Sequence, residues 1–220
     1  MQPAAHSSAL QTLVLASASP RRRELLEQIG VQFEVIVHDV DETRLSAEPA
    51  YDYVCRLAQA KAAAVESVEK EAAGRPVLGA DTIVVVENQV LGKPRDAADA
   101  ERMLKLLSGC EHRVISAVCV MQRERCGVRV STTKVRFRVL SQQDIDAYWQ
   151  SGEPLGKAGG YAVQGLGALF IDYLEGSYSG VVGLPLFETA ELLREFSVPT
   201  ALSSSARLFA DAPSAETGAN

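Results

Sequence analysis

The chain alternates short apolar runs with amphipathic stretches over most of its length. Thr12 to Ser17 is a short apolar run and predicts a buried strand. Pro20 suits the first turn of a helix, in which Leu25, Leu26 and Ile29 recur at helical spacing up to Gly30. Phe33 to Val37 predicts a second strand. A polar, acidic stretch follows, and then a helical pattern from about Ala50 to Ala73, stopped by Gly74-Arg75-Pro76. Val77 to Val86 is the most apolar segment, interrupted by Asp81 and Thr82. Residues 96–107 read as a helix with Met103, Leu104 and Leu107 inward. The runs at about 113–122 and 128–140 alternate as a half-exposed antiparallel pair does. Ser141 stands where it would cap a helix to Gln150, and five glycines between Gly156 and Gly167 exclude a regular element. Ala168 to Tyr173 predicts a strand and Pro185 to Phe196 a closing amphipathic helix. Residues 1–9 are small and polar and are expected to fray. The Ser/Ala-rich end is sparsely apolar, so residues 1–200 form the expected domain and 201–220 a disordered tail. Strands alternating with helices give the α/β class, a mixed sheet with flanking helices.

Composition narrows the function classes. A chain of 220 residues buries enough surface to fold without a disulfide or metal staple. Lys and Arg total 22 against 28 Asp and Glu, a net charge of −6 that disfavours binding nucleic acid through its backbone. No run is long and apolar enough for a membrane span. None of the four cysteines forms a C-x-x-C pair and only His112 lies near any, so no zinc site is expected. Sparse cysteines fit reduced thiols in the cytoplasm. Leu13 to Ala18 mimics a signal-cleavage segment, but no Lys or Arg precedes Arg21, and we read it as a strand of the mature protein.

The sequence has no G-x-x-x-x-G-K-[ST] loop, no G-x-G-x-x-G, no H-E-x-x-H and no G-x-S-x-G. Candidate chemistry begins at Ser17-Ala18-Ser19-Pro20-Arg21-Arg22, where a helix start and two guanidiniums meet in an arrangement suited to a polyphosphate. The plainer alternative is a capped helix with solvated arginines. Asp81, within an apolar strand, needs a cation or hydrogen bonds to offset its desolvation. Alternatively, backbone amides at a bend near Gly79 satisfy it. Asp39, Asp41 and Glu42 could add carboxylates for a hard cation or remain solvated loop residues. Lys61 sits among Ala58, Ala60, Ala62 and Ala63, a small surface that permits close approach; the plainer alternative is a lysine that snorkels at the surface. Lys93, between Gly92 and Pro94, is aimed by a stiff turn. Lys157 precedes Ala158-Gly159-Gly160, and Gln164 offers an amide donor and acceptor suited to a base edge or, more plainly, to satisfying a turn. Cys110 and His112 are not expected to form a nucleophilic pair.

The motifs L-A-S-A-S-P-R-R, G-A-D-T-I-V, G-K-P, L-S-G-x-x-H, K-A-G-G-Y-A-V-Q-G and G-S-Y-S-G-V-V-G-L-P-L occur in this order. Together, over about residues 12–196, they resemble the Maf family of nucleoside triphosphate pyrophosphatases, the septum-formation inhibitors. The K-A-G-G-Y-A-V-Q-G segment is similar to the branch that prefers dTTP and UTP. The resemblance implies two lobes around a cleft, a homodimer, and hydrolysis to a nucleoside monophosphate and pyrophosphate. It implies Asp81 as catalytic base, metal ligand or both, with Glu42 as a second ligand for Mg²⁺ or Mn²⁺. By the same resemblance Arg21, Thr82 and Gln164 decide base choice, and Ser19, Arg22, Lys61 and Lys93 contact substrate. Gly180 departs from the pattern where a polar residue is usual. Two alternatives stand beside this reading: a nucleotide-binding regulator of septation with little turnover, and a pyrophosphatase preferring modified or purine nucleotides.

Overall fold

The computed structural model describes residues 12–68, 72 and 74–203. The elements run β1 (Leu13–Leu15), α1 (Pro20–Gln28), β2 (Phe33–Val35), α2 (Ala50–Glu66), β3 (Val77–Val86), β4 (Gln89–Leu91) and α3 (Ala97–Leu107). They continue as β5 (Glu111–Gln122), β6 (Arg125–Phe137), α4 (Gln142–Gln150), β7 (Ile171–Glu175), α5 (Tyr178–Val182) and α6 (Leu186–Glu195). The strands form one seven-stranded sheet in the order β2-β1-β3-β5-β6-β7, with β4 paired to β3. β1 is parallel to β2 and β3, and the remaining pairs are antiparallel, so the sheet is mixed as its sequence pattern predicts.

Alternation along β3 and β5 sends opposite sets of side chains to the two faces. Val77, Ile83, Val85, Ile115, Ala117 and Cys119 pack under α2 with Val54, Ala58 and Ala62. On the other face Leu78, Ala80, Val118 and Val120 meet Leu26, Leu184 and Leu192 from the α1 and α6 side. Further along that face Val84, Val86, Val114 and Val135 meet Met103, Leu104 and Ile145 from α3 and α4. Between these two clusters stand the register partners Thr82 and Ser116, whose hydroxyls are 2.8 Å apart. A polar pair therefore interrupts the apolar face between the two clusters.

The boundaries differ from the sequence expectations at several places. α2 ends at Glu66 rather than near Ala73, with Ser67 N–H closing on the Ala63 carbonyl. β2 stops at Val35, half exposed at the sheet edge. Residues Leu166–Phe170 form a 3-10 helix that buries Phe170 and leaves Leu169 exposed, so the last strand begins only at Ile171. Ser141 caps α4 in a reciprocal capping box with Asp144, as its position predicts. The fraying expected at 1–9 lies outside the described residues, as does the tail from 204 on. Of the residues before it, Ala201 still donates its N–H to the Ile29 carbonyl.

Candidate active site

β5 pairs with β3 along one edge from Val77 to Val85. On the other edge β1 accompanies only Val77 and Leu78, and β4 joins only at Val84. Residues 79–83 thus face a gap in the sheet, the kind of switch point at which open α/β sheets carry ligands. Asp81 sits in this gap. Behind it lies a cleft of about 900 Å³, a size suited to a nucleotide-scale ligand.

Asp81 is satisfied by an ammonium. Lys61 Nζ lies 2.7 Å from Asp81 Oδ1 and 2.6 Å from Glu42 Oε1. No bend at Gly79 supplies backbone amides to this carboxylate: Gly79 lies within the regular strand, and its role is steric. A Cβ there would stand 2.3 Å from the Ala58 carbonyl oxygen and 2.6 Å from the Ala62 nitrogen. Glycine below and alanines above let α2 lie close enough for Lys61 to reach the strand. The Lys61 and Asp81 side chains are 15% and 11% exposed, whereas that of Glu42 is 46% exposed. Partial burial raises the Glu42 pKa, but the hydrogen bond and charge of Lys61, with Lys93 and Arg22 adding, hold it below the ordinary carboxylate value. Of the other acids in that loop, Asp39 lines the cleft, while Asp41 accepts from the Thr43 N–H and does not line it.

The opposite wall is cationic. α1 begins at Pro20 in its first turn, and Ser19 stands at its N-cap without a side-chain capping bond. Arg21 and Arg22 cross to α5, donating from Nε to the carbonyls of Val182 (3.3 Å) and Gly183 (2.9 Å). Arg22 Nη1 also donates to Ser17 Oγ at 2.9 Å. Burial lowers the Arg22 pKa, against the opposing field of Asp81. Lys93 is exposed at the rim, on a turn whose Gly92 carbonyl accepts from the Gly159 N–H at 2.9 Å. That bond ties the turn to the glycine-rich loop, so Lys93 and Lys157 border the same cleft.

Gln164 is exposed at the cleft, at the end of that loop. The loop is braced by residues to which the sequence gives no functional signal. Glu153 accepts from the backbone of Leu166 (2.9 Å) and Gly167 (3.0 Å) and from the Tyr148 hydroxyl (2.7 Å). His112 is 2% exposed and its Nε2 lies 2.8 Å from the Tyr161 hydroxyl; it pairs with no thiol. Burial lowers its pKa to about 4, so the imidazole is neutral. Gly180 contributes through its backbone: its carbonyl accepts from Ser116 Oγ at 2.6 Å and its N–H donates to Ser177 Oγ at 3.0 Å.

All nine residues singled out for substrate, catalysis or metal line the one cleft: Ser19, Arg21, Arg22, Glu42, Lys61, Asp81, Thr82, Lys93 and Gln164. Asp81 and Thr82 approach it from opposite sheet faces. Thr82 hydrogen-bonds Ser116 and lies 3.4 Å from the Gly183 carbonyl. A cleft with cations along its walls and two carboxylates at its base defines a site for an anionic ligand, with groups for acid–base chemistry or a hard cation.

The chain belongs to the Maf-like protein family, whose model matches residues 12–196. Two curated relatives are named dTTP/UTP pyrophosphatase. The Vibrio cholerae protein is 55% identical over 187 residues, covering 85% of this chain and 99% of the relative. The Hahella chejuensis protein is 50% identical over 186 residues, covering 84% and 92%. Among solved structures, the Staphylococcus aureus Ham1 protein aligns over 84% of this chain and 96% of its own at 15% identity. Its TM-score is 0.44.

Proposed function

We propose that this protein is a nucleoside triphosphate pyrophosphatase that hydrolyses dTTP and UTP to the monophosphate and pyrophosphate. The observation that carries this reading is Lys61 held between Asp81 and Glu42 at the base of a cleft walled by Arg21, Arg22 and Lys93. The names of its relatives point the same way.

In the reaction, water attacks the α-phosphorus and the bond from that phosphorus to the α–β bridging oxygen breaks, releasing pyrophosphate. Such transfers depend on positioning and charge stabilisation. Arg21, Arg22, Lys61 and Lys93 offset the charge of the triphosphate. Asp81, beside the cleft and largely withdrawn from bulk water, accepts the proton of the attacking water. Gln164 can donate to a carbonyl of uracil or thymine and accept from the N3–H, and the glycine-rich loop lets backbone approach the ring. Neutral cytosine lacks that N–H, so it leaves a pairing group unsatisfied.

The donor set also fits a divalent cation. Asp81 and Glu42 already share one positive charge. Among the described residues no group of three or more His, Cys, Asp or Glu is placed to hold a metal. Mg²⁺ or Mn²⁺ would therefore take the rest of its ligands from phosphate and water. A cation held by Asp81 and Glu42 would supply charge neutralisation and lower the pKa of bound water.

The test is pyrophosphate release across dTTP, UTP, CTP and GTP, with dTTP binding measured in parallel. We expect dTTP and UTP to turn over well and CTP poorly. Tight dTTP binding without pyrophosphate would favour a regulator instead, and CTP turnover equal to UTP would refute the role of Gln164. A homodimer, in line with the family resemblance, is checked by light scattering.

A further inference from the structure

The β5–β6 hairpin carries a thiol pair outside the cleft. Cys119 pairs in register with Val128, and Met121 with Cys126, so the two cysteines are diagonal neighbours on the face covered by α2. Their Sγ atoms stand 3.7 Å apart. Cys119 is fully buried and Cys126 is exposed. A third thiol, Cys55, is on α2, and one turn later Gln59 directs its Nε2 towards Cys126 Sγ at 4.0 Å.

We propose that Cys119 and Cys126 form an intramolecular disulfide when the protein meets a peroxide, making this hairpin a site of reversible oxidation. A disulfide spans about 2.0 Å, so the sulfurs need to close by roughly 1.7 Å. Diagonal residues of an antiparallel pair stand about 7–8 Å apart, beyond the usual disulfide span, so the two strands draw together as the bond forms. The exposure difference orders the chemistry. Peroxide reaches Cys126 first: its thiol sulfur takes one oxygen, the O–O bond breaks, and the products are a sulfenic acid and water. Cys119 sulfur then attacks Cys126 sulfur, the S–O bond breaks, and the hydroxyl leaves with the Cys119 proton as a second water. Two thiols together lose two electrons and two protons, and one peroxide becomes two waters. Burial beside Cys126 raises the Cys119 pKa, so its proton has to leave as the sulfur attacks, and the departing hydroxide is the base that takes it.

The location gives the bridge a route to the cleft. Gly79 is the register partner of Cys119 on β3, and it is the glycine on which Ala58 and Ala62 of α2 rest. The modified pair thus adjoins the close contact that positions Lys61.

The experiment treats the full chain with hydrogen peroxide, blocks free thiols, and maps peptides by mass spectrometry. Free thiols should fall from four to two, with the 119 and 126 peptides joined and Cys55 and Cys110 still blocked; reduction should restore all four. Cys126→Ser, at an exposed position where folding is not at risk, should abolish the loss, and Cys55→Ser should leave it unchanged. Sulfinic acid at Cys126 with Cys119 still free would overturn the proposal. So would a bridge to Cys55, or dimers linked through Cys126.

Discussion

Replacing Lys61 by methionine keeps a long side chain in place and removes the ammonium from between two carboxylates. The Asp81 arm of the ion pair is almost enclosed, whereas the Glu42 arm is 46% exposed and adds little to stability. Breaking a buried pair costs about 3–5 kcal/mol, and the open cleft reduces that to about 2–3 kcal/mol here. For a chain of this size the loss lowers the midpoint of thermal unfolding by roughly 4–12 °C. Thermal and urea unfolding of the folded variant measure it. Magnesium provides the decisive arm. In Lys61→Met the carboxylates lose their shared ammonium and keep only the fields of Arg22 and Lys93, so millimolar Mg²⁺ should raise the melting point more than in the unaltered protein, by ordinary binding linkage. A variant with unchanged melting point would refute the claim that the lysine holds this site together. Equal magnesium shifts in both proteins would refute the claim that a divalent cation takes the place between Asp81 and Glu42.

The remaining predictions concern chemistry, acid stability and packing. Asp81→Asn should lower dTTP turnover by ~10²-fold or more if the carboxylate serves as base; near-normal turnover in a folded variant would end that assignment. His112, with a folded pKa of about 4 against an ordinary 6.5, should cost stability as pH falls. The unfolded chain binds the proton first, so about 3 kcal/mol should be lost between pH 6.5 and 4 and be fully present above it. Urea midpoints across that window, compared with His112→Asn, would show it, and parallel curves would refute it. Gly79→Ala sets its new methyl against the backbone of Ala58 and Ala62 and should cost about 1–3 kcal/mol, with reduced turnover as Lys61 is displaced. Unchanged melting and activity would mean that the helix does not rest on that glycine.

Much of this architecture is legible in the sequence because it rests on periodicity or on residues with a distinct chemical cost. The alternation of β5 and β6, the Ser141 cap and the isolated charge of Asp81 all carry such signals. Other features leave none. The 3-10 helix at 166–170 is apolar, and a run that short fits a strand equally well. Gly79 reads as a bend because sequence does not distinguish a turning glycine from one over which a helix passes. Lys61 and Glu42 are separated by a loop and most of a helix, so their meeting depends on how α2 is docked. The carbonyls of Val182 and Gly183 that receive the arginines belong to the backbone, which every residue has. Glu153 looks like any acid in a polar turn, although it fastens two N–H groups of the glycine-rich loop.

The bonds from Arg21 and Arg22 to Val182 and Gly183 also bear on the order in which the protein is made. Each joins residues 161 apart, one in α1 and one at the end of α5 or just after it. During synthesis, domains generally fold as units once their elements are available, and contacts this distant in sequence form late. A nascent chain halted before α5 already contains both arginines, Lys61 and Asp81, yet lacks the carbonyls on which the guanidiniums rest. Nucleotide capture by this cleft therefore requires synthesis to pass residue 183, and ribosome-bound fragments ending before residue 182 should not acquire it.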